Sequence, residues 1–196
     1  MPQLLTEFFT LEYDPNLITE AAMNGNGTIR IKTILQRADA KNQNGRVYPR
    51  DLLQREAEKY QNEFVKQRRA MGELDHPEST VVNLKNVSHN LIEMHWEGDD
   101  LRGTIEILDT PCGQIVKDLM KANIRLGISS RGVGSVINAG KDVVSVDEDF
   151  SLICFDIVSN PSTQGAFLNE SLNTALLKAK MGRISGLISD FLTEIG

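Results

Sequence analysis

The chain has 196 residues, 40% of them hydrophobic and 24% charged, with a formal net charge of −6. This apolar content is enough for one domain with its own core. An acidic chain lacks the basic surface that phosphate binding requires, so we predict no nucleic acid partner. No apolar run is long enough to span a membrane and no secretory leader is visible, so no membrane association is predicted. The two cysteines form neither a disulfide framework nor a metal-binding pattern, and we expect no metal and no cofactor.

The first half of the chain predicts an arm, a strand, a helix and a hairpin. Residues 1–26 show no sustained period and are expected to form a removable N-terminal arm. From Thr28 apolar and charged residues alternate, which predicts a strand. Pro49 suits the first position of a helix that continues to about Arg69. Residues 87–108 alternate on both sides of a Gly-Asp-Asp turn, which predicts a hairpin.

The second half predicts a short helix, three strands and a terminal helix. In chain order, these are a helix from Thr110, strands through Ser129, over 142–148 and over 151–158, and helical spacing over 171–192. Because helices do not alternate regularly with strands, we predict an α+β fold, a mostly antiparallel β-barrel surrounded by helices. The predicted barrel domain spans residues 27–165, and residues 166–196 are expected to form a separate C-terminal helical segment.

Two short segments carry most of the chemical information. Residues 72–77 (Gly-Glu-Leu-Asp-His-Pro) place His76 in an acidic loop, and loops are where functional side chains concentrate. Residues 127–132 (Gly-Ile-Ser-Ser-Arg-Gly) place two hydroxyls beside Arg131 on a predicted strand. A serine nucleophile needs a base and fixed positive dipoles that hold an oxyanion. This composition favours a serine hydrolase by a small margin over two unrelated structural segments.

The spacing leaves the choice of serine open. Ser129 and Ser130 point to opposite faces of a strand, so only one of them can face His76. The other two histidines, His89 and His95, lie on the predicted hairpin, where a structural or solvent-facing role is expected.

These two segments and residues 44–49 (Asn-Gly-Arg-Val-Tyr-Pro) resemble motifs of the prohead core protein proteases, the capsid-maturation proteases of T4-like tailed bacteriophages. The resemblance runs from about Ile29 to Pro161 and rests on the order and spacing of three motifs. It implies a barrel similar to that of the herpesvirus assemblins. It also implies a self-processing serine endopeptidase that cleaves scaffold, core and capsid proteins inside the prohead, in the host cytoplasm, and that forms a homo-oligomer.

The same resemblance assigns roles to individual residues. The first serine of its motif, Ser129, is the nucleophile, and His76 is the base. Arg131 and Gly132 lie where groups that bind the oxyanion or the substrate are expected.

The third catalytic residue is chosen by its setting. Asp156 interrupts an apolar run, and a buried carboxylate needs a partner such as an imidazolium. We therefore choose Asp156, with Asp75 and His89 as alternatives.

The resemblance further implies cleavage after Glu in Leu/Ile-x-Glu sequences. Four such sequences occur in the segments predicted to be peripheral, where proteolysis normally acts; they end at Glu7, Glu20, Glu170 and Glu194. We expect arm removal after Glu20, and release or trimming of the C-terminal segment after Glu170 or Glu194. Arg46 or a nearby lysine could meet the substrate carboxylate, and spacing does not choose between them.

The alternative function is an internal capsid or scaffold component that keeps a protease-like barrel without activity. Other hydrolases are disfavoured, because the chain has neither a Gly-x-Ser-x-Gly elbow between a strand and a helix nor a His-Glu-x-x-His pair.

Overall fold

A computed structural model describes residues 2–11, 28–140 and 143–159, which lie within the compact unit Met1–Pro161. The predictions for residues 166–196 lie outside the described residues. The strands are β1 (Gln3–Thr10), β2 (Ile29–Arg37), β3 (Arg46–Val47), β4 (Met71–Glu73), β5 (Val87–Glu97), β6 (Asp100–Ile107), β7 (Gly127–Gly134), β8 (Val136–Gly140), β9 (Val143–Val146) and β10 (Ser151–Val158). The helices are α1 (Arg50–Tyr60), which continues into a π-helical turn (Gln61–Val65), and α2 (Pro111–Lys121).

The described strands form three hydrogen-bonded sheets, in the orders β1-β7-β10, β2-β6-β5-β4 and β3-β9-β8. Every ladder is antiparallel except that between β3 and β9. The predicted mixed α+β class with mostly antiparallel pairing is therefore confirmed.

The closed barrel that the sequence predicts is not found among the described strands. The two larger sheets share one apolar core that includes Ile105 of β6, Ile128 of β7 and Ile157 of β10. At the edge between β4 and β10, however, they are joined by a single bridge, Leu74 to Ile157, instead of a ladder. The physical reason is local, because the chain leaves the three-residue strand β4 at Asp75, whose left-handed backbone (φ 64°) ends the extended conformation.

The helix starts follow from simple end signals. Pro49 precedes α1 as its N-cap residue, and Thr110 caps α2 by accepting a hydrogen bond from the Gly113 N–H. The predicted strand after Thr28, the helix after Pro49, the 87–108 hairpin and the helix after Thr110 are confirmed.

Strand β1 was not predicted from the sequence. Its buried face carries Leu5 and Glu7, which are both almost inaccessible. An apolar and a charged residue thus share one face, so the usual alternation of apolar and polar residues is missing. Residues 3–10 are therefore part of a sheet, although no secondary structure was expected in the arm.

Candidate active site

The hydroxyl of Ser129, the imidazole of His76 and the carboxylate of Asp156 lie in series. His76 Nε2 is 2.6 Å from Ser129 Oγ, and His76 Nδ1 is 2.9 Å from Asp156 Oδ2. Ser129 and Asp156 have no exposed surface, whereas 23% of the His76 side chain is exposed. Groups linked in this order can move a proton from the hydroxyl to the imidazole while the carboxylate stabilises the imidazolium.

Strand pairing and a docked loop bring these side chains together. Asp156 of β10 lies opposite Ser129 of β7 in the antiparallel ladder, so the two side chains stand beside each other on one face. His76 comes from the loop after β4. The Asp75 N–H donates to the Ile157 carbonyl at 2.8 Å and fixes that loop on β10.

Gly72 allows β4 to come this close to β10. A Cβ at this position would lie 1.9 Å from the Phe155 carbonyl oxygen and 2.4 Å from the His89 ring. Any larger residue would therefore push β4, and with it the His76 loop, away from Asp156.

Hydrogen bonds and charge keep the Asp156 carboxylate ionised. Burial raises its pKa, but the hydrogen bonds from His76 and from the Glu73 N–H, together with the Arg131 charge, lower the pKa by more than burial raises it. The net pKa of Asp156 therefore lies below its ordinary value.

The Arg131 guanidinium lies on the Asp156 side of the site. It is fully buried, and its hydrogen bonds go to Ser79 O (2.7 Å), Glu73 Oε1 (2.8 Å), Cys154 Sγ (3.0 Å) and Asp156 Oδ1 (3.2 Å). Its Nε lies 2.8 Å from Asp156 Oδ2, an ion pair without the alignment of a hydrogen bond. This placement differs from the expectation that the Arg131 side chain stabilises an oxyanion, because its donors point to two carboxylates and none of its surface is exposed.

Glu73 belongs to the site but was not among the site residues predicted from the sequence. Its buried carboxylate accepts hydrogen bonds from the Asn83 N–H (3.0 Å), the Asn86 side chain (3.1 Å) and Arg131 (2.8 Å). It thereby joins the loop that carries His76 to the buried guanidinium. The available signal was its position in the His76 motif, three residues before the histidine.

The two alternatives for the third residue lie elsewhere. Asp75 is exposed and contributes its backbone N–H to the loop docking. His89 is buried; its Nε2 donates to the Phe155 carbonyl at 3.0 Å, and the Ser88 hydroxyl donates to its Nδ1 at 2.9 Å. Burial lowers the pKa of His89 to about 4, so the ring is neutral and its nitrogens already have partners.

Two further residues of the serine motif have other surroundings. Ser130 Oγ lies 3.4 Å from the Glu7 carbonyl oxygen, on the side of β7 that pairs with β1. Gly132 leaves room for an aromatic ring, because a Cβ there would lie 2.4 Å from Phe150 Cε2. Packing against Phe150 thus gives a second reason for a glycine at position 132, in addition to the substrate-binding role expected from the sequence.

One of the four self-cleavage candidates reaches the site. The Ser129 hydroxyl donates to the carbonyl oxygen of Glu7 at 2.9 Å, so β1 lies across the hydroxyl. Glu20, Glu170 and Glu194 lie outside the described residues.

Within residues 2–11, 28–140 and 143–159, no group of three or more His, Cys, Asp or Glu side chains is placed to hold a metal ion. No helix in the same ranges is long and apolar enough to cross a membrane. Cys154 is a buried free thiol, and burial raises its pKa.

A hydroxyl, an imidazole and a carboxylate in series on a mixed α+β scaffold define the arrangement that serine hydrolases use. A family model described as prohead core protein serine protease matches residues 16–175, which is most of the chain. The chain therefore belongs to the prohead core protein serine protease family.

A curated protein sequence and a solved structure, both from phage T4, are similar to this chain. The prohead core protein protease of Enterobacteria phage T4 is 33% identical over 111 residues, which are 54% of this chain and 51% of that protein. The chain thus aligns with about half the length of that curated relative. The solved structure of the bacteriophage T4 capsid assembly protease superimposes with a TM-score of 0.70 and 26% identity, over 82% of this chain and 99% of the solved one.

Proposed function

We propose that this protein is a serine endopeptidase that cleaves core, scaffold and capsid proteins inside the phage prohead, in the host cytoplasm. The observation that carries the proposal is the continuous contact from Ser129 through His76 to Asp156, at 2.6 and 2.9 Å. Family membership and the similarity to the phage T4 prohead protease support prohead proteins as the substrates.

In the proposed mechanism His76 takes the hydroxyl proton as Ser129 Oγ attacks the carbonyl carbon of the scissile peptide. The imidazolium, stabilised by Asp156, then protonates the leaving amine as the C–N bond breaks. Water then attacks the resulting ester and gives a proton to His76. His76 returns a proton to Ser129 Oγ as the ester bond breaks. Arg131 acts at a distance from the reacting atoms, because it holds Asp156 and Glu73 in place.

The oxyanion requires donors other than the Arg131 guanidinium. Backbone N–H groups at a nucleophile commonly serve this purpose. Those of β7 around Ser129, including Arg131 and Gly132, lie on a strand that pairs with β1. Displacement of β1 would free the N–H groups that face it.

We further propose cleavage after Glu in Leu/Ile-x-Glu sequences, self-processing and a homo-oligomeric assembly. Processing after Glu7 or Glu20 would remove part of the 1–26 arm. Processing after Glu170 or Glu194 would separate or trim the 166–196 segment from the domain at 27–165. The placement of the Glu7 carbonyl against Ser129 supports the first of these sites.

Intact-mass measurement on the wild-type chain and on Ser129→Ala tests this proposal. In the wild type we expect fragments whose masses correspond to cleavage after Glu. In Ser129→Ala we expect the full-length mass alone. His76→Ala should lower cleavage by about three to six orders of magnitude. Ser130→Ala should still be processed, and a Ser130→Ala protein that is inactive beside an active Ser129→Ala protein would identify the other serine as the nucleophile.

The complete burial of Ser129 under β1 is the observation that favours the alternative, an inactive internal capsid component. Labelling with a small fluorophosphonate, mapped by peptide mass, separates the two. Modification of Ser129 supports the protease. The inactive component would be supported if Ser129 stays unmodified in the wild type and in a variant with a displaced β1. The intact masses of the wild type and Ser129→Ala would then also be those of the uncleaved chains.

A further inference from the structure

Strand β1 lies where a peptide substrate would have to lie. It runs antiparallel along β7, with Glu7 opposite Ser130, and its Glu7 carbonyl oxygen accepts the Ser129 hydroxyl at 2.9 Å. Ser129 has no exposed surface in this arrangement. An extended peptide that adds a strand to an exposed sheet edge is a common mode of peptide recognition.

The Glu7 carboxylate lies in a pocket where three side chains donate hydrogen bonds to it. Arg46 and Tyr48 donate to Oε1 at 3.1 and 3.3 Å, and Asn44 donates to Oε2 at 3.2 Å. A carboxylate accepts at both oxygens, whereas an amide would bring its own N–H₂ against these donors. In hydrogen bonding the donor set therefore fits a carboxylate better than an amide, although burial raises the pKa of Glu7.

The backbone that carries two of the donors, Asn44 and Arg46, is fixed by hydrogen bonds within its own loop. Asn42 Oδ1 accepts from the N–H groups of Asn44 and Arg46, both at 2.9 Å, and Gly45 takes the positive φ (75°) that the turn requires. Local hydrogen bonds thus fix the backbone from which the Asn44 and Arg46 side chains reach Glu7, and a fixed backbone favours binding because less has to be ordered.

Two residues before Glu7, on the same face of β1, Leu5 enters an apolar pocket. It is 1% exposed and packs in a cluster with Ala38, Tyr48, Leu52, Leu53, Val146 and Phe150. The residue between them, Thr6, is held by its backbone, since its carbonyl oxygen accepts from the Asn44 side chain at 3.0 Å. The groove thus contacts an apolar and an acidic side chain at alternate positions and the backbone carbonyl of the residue between them.

We propose that Asn44, Arg46 and Tyr48 form the pocket that receives the acidic side chain of a substrate, and that β1 fills the substrate groove as an intramolecular mimic of that substrate. This inference rests on the proposed protease function. The bound β1 excludes other peptides, so substrates gain access when β1 is displaced or removed.

The same contact explains how β1 would keep the site inactive. The Ser129 hydroxyl has one proton, and both the Glu7 oxygen and His76 Nε2 lie within hydrogen-bonding distance of it. When the hydroxyl donates to Glu7, its proton does not point to His76 Nε2 and is not placed for transfer to the imidazole. The bound strand thus opposes the proton transfer that starts catalysis.

Peptide selectivity tests the pocket. The substrates are peptides with Leu, any residue, and then Glu, Gln or Lys at the cleaved position. We expect the wild-type kcat/KM to favour Glu over Gln by about 100-fold, because Gln leaves Arg46 without its anionic partner. Arg46→Gln should reduce this preference to less than about tenfold, and Arg46→Glu should shift it towards Lys.

Arg30 provides the matched control. It pairs at 3.0 Å with another largely buried carboxylate, Glu106, on a different sheet, so Arg30→Gln should keep the Glu preference. Arg46 variants that cleave with the wild-type preference would overturn the inference and leave the proposed function intact. A protein that cleaves none of these peptides and is not labelled at Ser129, with or without the Glu7 substitution below, would overturn the proposed function and the inference with it.

Fluorophosphonate labelling of Ser129 tests the mimic in the full-length chain. Glu7→Lys should displace β1 and accelerate labelling by at least about tenfold, because the accessible state becomes more populated. Combining Glu7→Lys with Arg46→Glu restores an ion pair and should slow labelling again, an effect that a loss of folding would not produce. Thermal unfolding confirms that each variant is folded, and Glu7→Gln replaces Glu7→Lys if the latter is not. Equal labelling rates in the wild type and in the folded Glu7 variant would overturn the mimic.

Discussion

Two carboxylates flank Ser129, Asp156 on β10 and Glu7 on β1. Each is buried beside an arginine, but their pKa values are shifted in opposite directions. The pKa of Asp156 is lowered, whereas the pKa of Glu7 is raised. For both groups burial is the largest influence and raises the pKa, so the difference lies in what opposes it.

The partners of Asp156 outweigh burial and those of Glu7 do not. Asp156 accepts hydrogen bonds from His76 and from a backbone N–H and forms an ion pair with the guanidinium of Arg131, which is completely buried. Glu7 is paired with Arg46, whose side chain is 23% exposed, so solvent weakens the attraction. The comparison teaches that Asp156 belongs to a permanently charged network, while Glu7 is held in a way that permits release.

The largest expected effect separates the two carboxylates by activity. Asp156→Asn removes the charge that orients and stabilises His76, and we expect kcat to fall by about 10⁴-fold. Glu7→Gln keeps Ser129, His76 and Asp156 and should leave peptide cleavage at least as fast as in the wild type. Both are measured with one peptide substrate at neutral pH, and equal losses in the two variants would contradict the comparison.

The next effect concerns stability. Arg131→Met leaves Glu73 and Asp156 buried without their cation, which should cost about 3–5 kcal/mol in free energy of unfolding. Arg46→Met should cost only about 1 kcal/mol, because the pair is partly exposed and β1 can move to return Glu7 to water. Urea unfolding of each variant measures the two values. Similar costs would show that β1 is as permanent as β10.

A smaller effect is a pH dependence of opposite sign at the two sites. Asp156 is ionised more readily in the folded state, so its contribution is present above its ordinary pKa of 3.8 and is lost as the pH falls through the lower folded value. Glu7 binds its proton more tightly in the folded state, so stability decreases as the pH rises from 4.5 through the raised folded value. Stability of the wild type relative to Asp156→Asn should therefore increase with pH, and relative to Glu7→Gln should decrease. Urea titrations from pH 3 to pH 7 give both signs.

The smallest effect comes from one hydrogen bond in the Glu7 pocket. Tyr48→Phe removes the 3.3 Å bond to Glu7 but keeps the ring, which packs edge-on against Phe150. We expect a loss of about 0.5–1.5 kcal/mol and a small increase in Ser129 labelling. A loss as large as that of Arg131→Met would mean that Tyr48 supports the core more than the pocket.

Several features could be predicted from the sequence because their cause is local. Pro49 and Thr110 mark helix starts, and the alternation over residues 87–108 marks a hairpin. The residues Ser129, His76 and Asp156 could also be named, because motif order and an acidic residue in an apolar run are visible in one dimension. Their contact distances, in contrast, depend on the pairing of β7 with β10 and on the loop that Asp75 docks.

What the sequence by itself determined was the α+β class, the main elements and a short set of reactive side chains, all set by neighbours along the chain. The tertiary structure alone decided which partners the charged groups acquire. Arg131 meets Glu73 across 58 positions and Asp156 across 25, and Arg46 meets Glu7 across 39. Such contacts are selected by burial and strand pairing between distant segments, since a charge that leaves water needs a partner wherever the fold supplies one. For that reason the guanidinium expected at an oxyanion lies beside Asp156, and β1, which belongs to the arm expected to be removable, lies across Ser129.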